Sequence, residues 1–185
     1  MEEQYLQQVL NGNKEAFRHL VEMHQDEAWA VALSVVKDEF AARDVLQESF
    51  IKAFRNLKSF KFKSKFSTWL HRIVVNEALK HINKQKHHRP AEKNPEEPEQ
   101  NEIKDAIDLL KQEDQKYFLD MALKQMPAAE SLVLTLFYLE ENSLEEIQGV
   151  TGYSVAKVKV LLHRGRKRLY MLLKLLLNRD IKTLY

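Results

Sequence analysis

The chain has 185 residues, of which 44% are hydrophobic and 30% charged, and this balance excludes a wholly disordered or fibrous protein. Four glycines and four prolines are too few for an all-β fold, which needs a turn roughly every 8–12 residues. The absence of cysteine excludes disulfides and thiolate chemistry and is typical of a reducing cytoplasm. No apolar run approaches the roughly 18 residues of a membrane span. The composition therefore predicts a cytoplasmic, all-α protein without membrane insertion.

The net charge of +2 conceals an uneven distribution along the chain. Residues 1–89 carry a net charge of +4, residues 90–120 a net charge of −6, and residues 121–185 a net charge of +4. Three of the four prolines fall at the first boundary, at Pro90, Pro95 and Pro98. Two basic blocks thus flank one acidic block.

This distribution predicts two small helical domains, at residues 1–89 and 117–185, joined by an acidic flexible linker at residues 90–116. Prolines and like charges resist packing, so we expect the chain from Pro90 to about Glu102 to be extended or disordered. Because the linker is too polar to pin the domains, they need not hold a fixed arrangement.

Apolar residues at helical spacing predict four helices in the N-terminal domain. Asn13 is placed to cap the first and Asp38 the third, while the fourth begins near Ser67. The first runs through Phe17, Leu20 and Val21, and the second carries the stripe Trp29, Ala32, Leu33 and Val36. Four helices in 89 residues indicate a small bundle.

The run from Lys52 to Arg89 contains eleven basic residues and one acid. Four aromatic residues are interleaved with these charges: Phe60, Phe62, Phe66 and Trp69. Lysines suit a phosphate backbone, and aromatic rings stack on unpaired bases for about 1–3 kcal/mol each. The alternative is that the rings are core and the lysines a solvated rim. We favour core for Phe66 and Trp69 and leave Phe60 and Phe62 open.

A polar face on the third helix consists of Asp44, Gln47 and Glu48. Such acceptors could dock a partner's arginines. Spacing alone favours an ordinary solvated face.

The C-terminal domain has the pattern of a helix-turn-helix. Ser143 and Glu146 form a capping box, Gly152 supplies a tight turn, and Ser154 caps a long second helix. The outer face of that helix is basic: Lys157, Lys159, His163, Arg164, Arg166, Lys167 and Arg168. Capping, turn and one-sided charge together favour DNA over a partner protein as the ligand.

No pattern of residues predicts catalysis. The seven histidines are in no metal-ligand spacing with carboxylates, and the chain has no Gly-rich phosphate loop, nucleophile elbow or H-E-x-x-H motif. We therefore predict no enzyme activity, no metal and no cofactor.

Along nearly its whole length the chain resembles the extracytoplasmic-function (ECF) sigma factors of bacteria. The matching strings are AARDVLQESFIKAFRNL (Ala41–Leu57), FSTWLHRIVVNEALKHINK (Phe66–Lys84) and SLEEIQGVTGYSVAKVKVLLHRGRKRL (Ser143–Leu169). The resemblance implies a sigma region 2 domain for the −10 promoter element and a sigma region 4 domain for the −35 element. It implies a subunit that binds core RNA polymerase, gives it promoter specificity and promotes DNA melting.

The resemblance also assigns roles to residues of this chain. Core polymerase would be bound through its β′ coiled coil and β flap, with Asp44, Gln47 and Glu48 docking on the former. The −10 element would be met by Phe60, Lys61, Phe62, Lys63, Lys65, Trp69, Arg72, Asn76 and Lys80. The −35 element would be met by Ser154, Lys157, Lys159, His163, Arg164, Arg166 and Lys167. The acidic linker would thread the polymerase channel, and an anti-sigma factor would be a further partner.

Three features depart from the family pattern and point to weak or unusual −35 recognition. Leu161 stands where an arginine is usual, and Gly149 lies inside the first helix of the motif. The basic residue that is common directly after Pro127 is missing, since Ala128, Ala129, Glu130 and Ser131 follow it. Two alternatives remain: a free-standing helix-turn-helix regulator with a helical sensor or dimerisation domain, and a helical interaction protein that kept the sigma shape but lost DNA binding.

Overall fold

The computed structural model describes residues 1–85 and 112–183, and in these ranges the chain is helical and contains no strand. The N-terminal unit, residues 1–85, consists of α1 (Glu2–Leu10), α2 (Phe17–Val36), α3 (Glu39–Asn56) and α4 (Phe66–Gln85). Single 3₁₀ turns cover Lys14–Ala16 and Leu57–Ser59. The all-α prediction is confirmed.

The helices of this unit begin and end differently from the prediction. The two helices expected around Phe17 and Trp29 are one helix of 20 residues, because no glycine or proline interrupts it. Asn13 makes no side-chain cap and precedes a 3₁₀ turn instead, and α1 was not predicted. The Asp38 cap is confirmed, since its carboxylate accepts a hydrogen bond from the Ala41 N–H at 2.8 Å.

The C-terminal unit, residues 112–183, consists of α5 (Gln112–Gln125), α6 (Ala128–Leu134), a π turn (Thr135–Leu139), α7 (Leu144–Thr151) and α8 (Val155–Thr183). Pro127 separates α5 from α6, as predicted. Helix α5 begins inside the range assigned to the linker. The rest of that range, including Pro90 to Glu102, lies outside the described residues.

The two units pack directly on each other. Helix α4 lies against α7, and α2 lies against α6 and the π turn. Buried side chains from both units, such as Leu70 and Ile147, belong to one continuous hydrophobic cluster. The sequence led us to expect no fixed arrangement, because the linker is too polar to impose one. The arrangement is instead set by the helices of the two units, whose faces pack against each other.

Polar contacts also cross between the units. The Lys37 ammonium donates to the Leu123 carbonyl at 2.6 Å, and Lys124 pairs with Glu39 at 2.6 Å. The Thr68 hydroxyl donates to Glu146 at 3.3 Å. Among the described helices, none combines the length and apolarity that crossing a membrane requires.

Candidate nucleic-acid interface

The loop between α3 and α4 presents one exposed aromatic ring, which packs on buried aromatic side chains. Phe60 and Phe66 are 7% and 2% exposed, whereas Phe62 is 42% exposed. The Phe60 ring centroid lies 4.8 Å from that of Phe62, 5.8 Å from that of Phe66 and 5.4 Å from that of Trp69. Phe62 therefore stands on a cluster of core rings.

This geometry decides the alternatives that the sequence left open. Phe60 is a core residue in this arrangement and does not offer its own ring to a ligand, although it belongs to the predicted −10 set. Phe62 has φ 56°, a left-handed conformation that bulky residues rarely adopt and that clusters at functional sites. Lys61, Lys63 and Lys65 are exposed in the same short segment, so three solvent-accessible cations flank this ring in the sequence.

Helix α4 carries an exposed polar stripe next to this loop. Arg72, Asn76 and Lys80 are exposed at spacings of four residues, which places them on one face. The opposite face is buried, with Leu70 and Val74 fully covered. The stripe extends the cationic surface of the loop along α4.

The single acid of the basic run, Glu77, lies between two of its lysines. Its carboxylate pairs with Lys52 of α3, and its other oxygen lies 3.8 Å from the Lys80 ammonium. Glu77 therefore orients neighbouring lysines and ties α3 to α4.

The polar face of α3 is open to solvent. Asp44, Gln47 and Glu48 are all exposed, while Val45 and Ser49 on the other side are buried. Asp44 and Glu48 also line a groove between α3 and α4. The face is thus available to a partner and adjoins the basic stripe.

The helix-turn-helix forms as the sequence predicts. Ser143 and Glu146 make both bonds of the capping box, and Gly152 has φ 72°. The Ser154 hydroxyl accepts from the Lys157 N–H at 3.2 Å and so caps α8. Val158 is buried on the inner face of α8. The burial of this face determines which side of α8 points outward.

The outward face of α8 is basic. The exposed members of the predicted −35 set are Ser154, Lys157, Lys159, His163, Arg164 and Arg166, and Lys167 is half-buried. The Lys157 ammonium lies 3.7 Å from the centre of the Tyr153 ring. Arg168 is turned the other way and pairs with the buried Glu130 at 2.8 Å, so its role is within the fold.

The position of Leu161 bears on the departure from the family pattern. Its side chain is half-buried and packs against the hydrophobic cluster. The chain therefore uses this position for packing, whereas an arginine would place a charge there.

A cluster of potential metal ligands lies where the two units meet, and the sequence did not signal it. Glu27, His71 and Glu140 place ligand atoms within 4.8 Å of one another. The three residues lie on separate elements and are far apart in the chain, so no local spacing reveals them. The prediction of no metal site was made from such spacings.

Burial shifts the pKa values of groups at this contact. Burial raises the pKa of Glu140 to about 7, with the nearby Glu27 charge as a smaller cause. Burial lowers the pKa of His71 to about 4, assisted by His24, and lowers that of Lys37 to about 7. All three groups are pushed toward their neutral forms because charge is costly away from water.

Two family models match the chain. Sigma-70 region 2 matches residues 20–88, and Sigma-70 region 4 matches residues 116–169. The first covers the aromatic loop and α4, and the second covers the helix-turn-helix.

Curated relatives match over most of their length. The ECF RNA polymerase sigma factor SigW of Bacillus subtilis is 31% identical over 89% of this chain and 92% of its own. The RNA polymerase sigma-H factor of Pseudomonas aeruginosa is 30% identical over 96% of both chains. The ECF sigma-E factor of Escherichia coli K12 is 30% identical over 90% of this chain and 94% of its own.

Solved structures share the fold. CnrH in complex with the cytosolic domain of CnrY superposes with a TM-score of 0.61 at 24% identity, over 92% of this chain and 95% of that one. The sigma factor RpoE of Bartonella quintana, in complex with the anti-sigma factor NepR, gives a TM-score of 0.65 at 23% identity, over 85% and 96%.

These matches favour a sigma factor over a free-standing regulator, and they agree with a protein that is not an enzyme. The chain functions as a polymerase subunit that recognises promoter DNA and initiates transcription. The chain belongs to the ECF family of RNA polymerase sigma factors.

Proposed function

We propose that three exposed surfaces of this chain carry its sigma activity. The acidic face of α3, Asp44 with Gln47 and Glu48, docks on the β′ coiled coil of core polymerase, and the C-terminal unit contacts the β flap. The observation that supports this most directly is the exposure of the whole acidic face beside the DNA-facing stripe. A polymerase bound there would hold the −10 region of the promoter over α4. The protein acts in the cytoplasm, together with core polymerase.

The −10 element is met by the aromatic loop and α4. Phe62 offers a half-exposed ring at a fixed position, and Lys61, Lys63 and Lys65 supply phosphate contacts beside it. Stacking an unpaired base on this ring compensates for part of the cost of unpairing it. Arg72, Asn76 and Lys80 contact the adjacent backbone and base edges.

The −35 element is met by α8. Its first turns present Lys157, Lys159, His163 and Arg164, which suit phosphates and guanine edges in a major groove. Leu161 packs inward, so we expect recognition with fewer base contacts than the family pattern provides.

The two promoter elements cannot be read together in the packed arrangement. The −35 and −10 elements are named by their positions in the promoter, so they lie about 25 base pairs apart, which is roughly 85 Å of B-form DNA. Each unit is about 30 Å across, so the two packed units span about 60 Å, and α4 lies directly against α7. The contact between the units therefore opens when the protein engages polymerase and promoter.

Promoter-dependent run-off transcription with purified core polymerase tests these assignments. We expect Asp44→Ala combined with Glu48→Ala to weaken core binding, and Phe62→Ala to reduce open-complex formation at least tenfold while core binding is retained. Asp26→Ala and Met23→Ala, exposed on α2, are the matched controls.

The outcomes separate the remaining alternatives. Full transcription by Phe62→Ala would overturn the stacking role. Tight core binding with no transcript from the unaltered chain would instead favour a sigma-like protein that has lost promoter recognition.

We further propose an anti-sigma factor as a partner, because CnrH and RpoE, which share the fold, were each solved with a bound protein. The acidic face of α3 and the basic face of α8 are the surfaces that it would have to cover. If a neighbouring gene encodes a membrane protein with a small cytoplasmic helical domain, that domain is the candidate. We expect that domain, once purified, to compete with core polymerase for the chain. Lack of competition would exclude that candidate.

A further inference from the structure

Three side chains with metal-binding atoms converge at the contact between the two units. Glu27 comes from α2, His71 from α4, and Glu140 directly follows the π turn. Their ligand atoms all lie within 4.8 Å of one another, and His71 Nε2 is 3.9 Å from Glu140 Oε2. The cluster therefore joins the N-terminal unit to the C-terminal unit.

Among the residues that the structure describes, the imidazole at its centre has no hydrogen-bond partner. The His71 residue is 1% exposed, and among the described residues neither of its ring nitrogens finds a partner. The Glu140 side chain is 6% exposed. Buried polar atoms are rarely left unpaired, because each unpaired group costs about 1–3 kcal/mol. A ligand that accepts the lone pair of His71 would remove this cost.

The chemistry of the three ligands suits a divalent transition-metal ion. Two carboxylates balance a charge of +2, and an imidazole nitrogen favours first-row transition metals over Mg²⁺ and Ca²⁺, which prefer oxygen ligands alone. Zinc binds such atoms at about 2.0–2.2 Å, so ligand atoms stand about 3.4 Å apart around it. The cluster reaches that spacing with side-chain movements of about 1 Å.

The surroundings supply support and access. His24 Nδ1 lies 3.3 Å from Glu27 Oε2, a contact of the kind that orients a ligating carboxylate. The Glu27 side chain is 45% exposed, so an ion can reach the cluster from solvent without unfolding the contact.

We propose that Glu27, His71 and Glu140 bind a divalent transition-metal ion that holds the two units together. Because Glu140 belongs to one unit and the other two ligands to the other, separation of the units dismantles the site. The ion therefore stabilises the packed arrangement by mass action. The consequence for transcription rests on the proposed function, since the packed arrangement cannot reach both promoter elements.

Metal binding is measured first, on the full chain without polymerase. Isothermal titration with ZnCl₂ after chelator treatment is expected to show one ion per chain. Glu140→Gln and Glu27→Gln are each expected to weaken binding at least tenfold, and the exposed neighbour Glu141→Gln is expected to leave it unchanged. Nitrogen NMR of the histidine rings should show the His71 signal shifting on Zn²⁺ addition while that of His19 stays in place.

The effect of the ion on the separation of the two units is measured by energy transfer between dyes. The chain has no cysteine, so dyes can be attached at Lys14→Cys and Gln148→Cys, one in each unit, which also blocks both thiols from zinc. Zn²⁺ is expected to keep the transfer efficiency high when core polymerase is added and to weaken core polymerase binding several-fold. Neither effect should occur in Glu140→Gln.

Several outcomes would overturn the proposal. They are absence of zinc binding at millimolar concentration, binding that survives both Gln variants, and zinc binding that does not reduce the fall in transfer efficiency caused by core polymerase. Because Glu27 is half-exposed, Glu27→Gln remains informative even if a buried variant fails to fold. Run-off transcription by the chelator-treated chain, with the chelator removed and Mg²⁺ but no Zn²⁺ added, tests the proposed function separately, so the two failures are distinguishable.

Discussion

At the scale of single residues, two glycines near the end of α7 have opposite roles. Gly149 lies within the helix, and a Cβ added there would meet nothing within 4 Å. Gly152 follows the helix with φ 72°, a conformation that costs an L-residue about 1–2 kcal/mol. The first glycine weakens the helix, whereas the second is required by the turn.

We expect Gly149→Ala to raise the free energy of unfolding by about 0.5–1 kcal/mol, because alanine is the better helix former and has room. Gly152→Ala is expected to lower it by about 1 kcal/mol. Chemical denaturation monitored by circular dichroism measures both. A lower stability for Gly149→Ala would contradict the open space seen around this position.

Residue-level prediction succeeded at most positions where local chemistry decides, Asn13 being the exception because it caps no helix, and failed where the chain's path decides. Asp38, Ser143 and Ser154 were identified as caps from their side chains alone. Phe60 and Phe62 could not be separated, because both alternate with lysines in the sequence. Their different burial depends on how the loop turns over Phe66 and Trp69.

At the scale of elements, the start of α7 depends on two reciprocal hydrogen bonds. The Glu146 N–H donates to the Ser143 hydroxyl at 3.2 Å, and the Ser143 N–H donates to the Glu146 carboxylate at 2.9 Å. The same carboxylate accepts a hydrogen bond from Thr68 of α4. The cap of the helix-turn-helix is thus also a contact between the units.

Ser143→Ala should lower the free energy of unfolding by about 1 kcal/mol, the usual value of an N-cap. Thr68→Val, which leaves both cap bonds in place, serves as the comparison. Thermal unfolding followed by circular dichroism measures the loss. Equal stability of Ser143→Ala and the unaltered chain would show that the cap contributes nothing here.

The contribution of Glu146 should depend on pH. Several causes hold the pKa of Glu146 below its ordinary value, and the largest is the hydrogen bond that its carboxylate accepts from the Ser143 backbone N–H. A carboxyl whose pKa is lower in the folded state stabilises that state above its unfolded pKa and loses the effect as pH falls through the folded pKa. The stability difference between the unaltered chain and Glu146→Gln is therefore expected to shrink below pH 4.5. Denaturation at a series of pH values measures this difference. Glu145→Gln is the control for removal of an acid. A stability difference that does not depend on pH would contradict the assignment.

The elements themselves were only partly predictable. Periodicity found α3, α4 and the helix-turn-helix, and in α3 and the helix-turn-helix a cap or a turn residue also marks the boundary. It divided α2 in two, although no glycine or proline interrupts that helix, and it missed α1, which has no side-chain cap to mark its start. Hydrophobic periodicity identifies helical faces but does not mark where consecutive helices join.

At the scale of the whole molecule, the free protein and the polymerase-bound protein should differ in the separation of the two units. With dyes at Lys14→Cys and Gln148→Cys, we expect high transfer efficiency in the free chain and a clear fall when core polymerase is added. A pair within the N-terminal unit, Lys14→Cys and Lys58→Cys, should not change. Constant efficiency in the first pair on binding would contradict the opening of the contact.

The sequence by itself determined the all-α class, the two basic units, the helix-turn-helix and the family. Each of these follows from short-range features: side-chain periodicity, caps, turn residues and local charge. Only the tertiary structure decided that the units pack together, that Phe60 is buried while Phe62 is presented, and that Glu27, His71 and Glu140 meet. These depend on contacts between residues distant in the chain, and no local pattern encodes which helix faces will find each other.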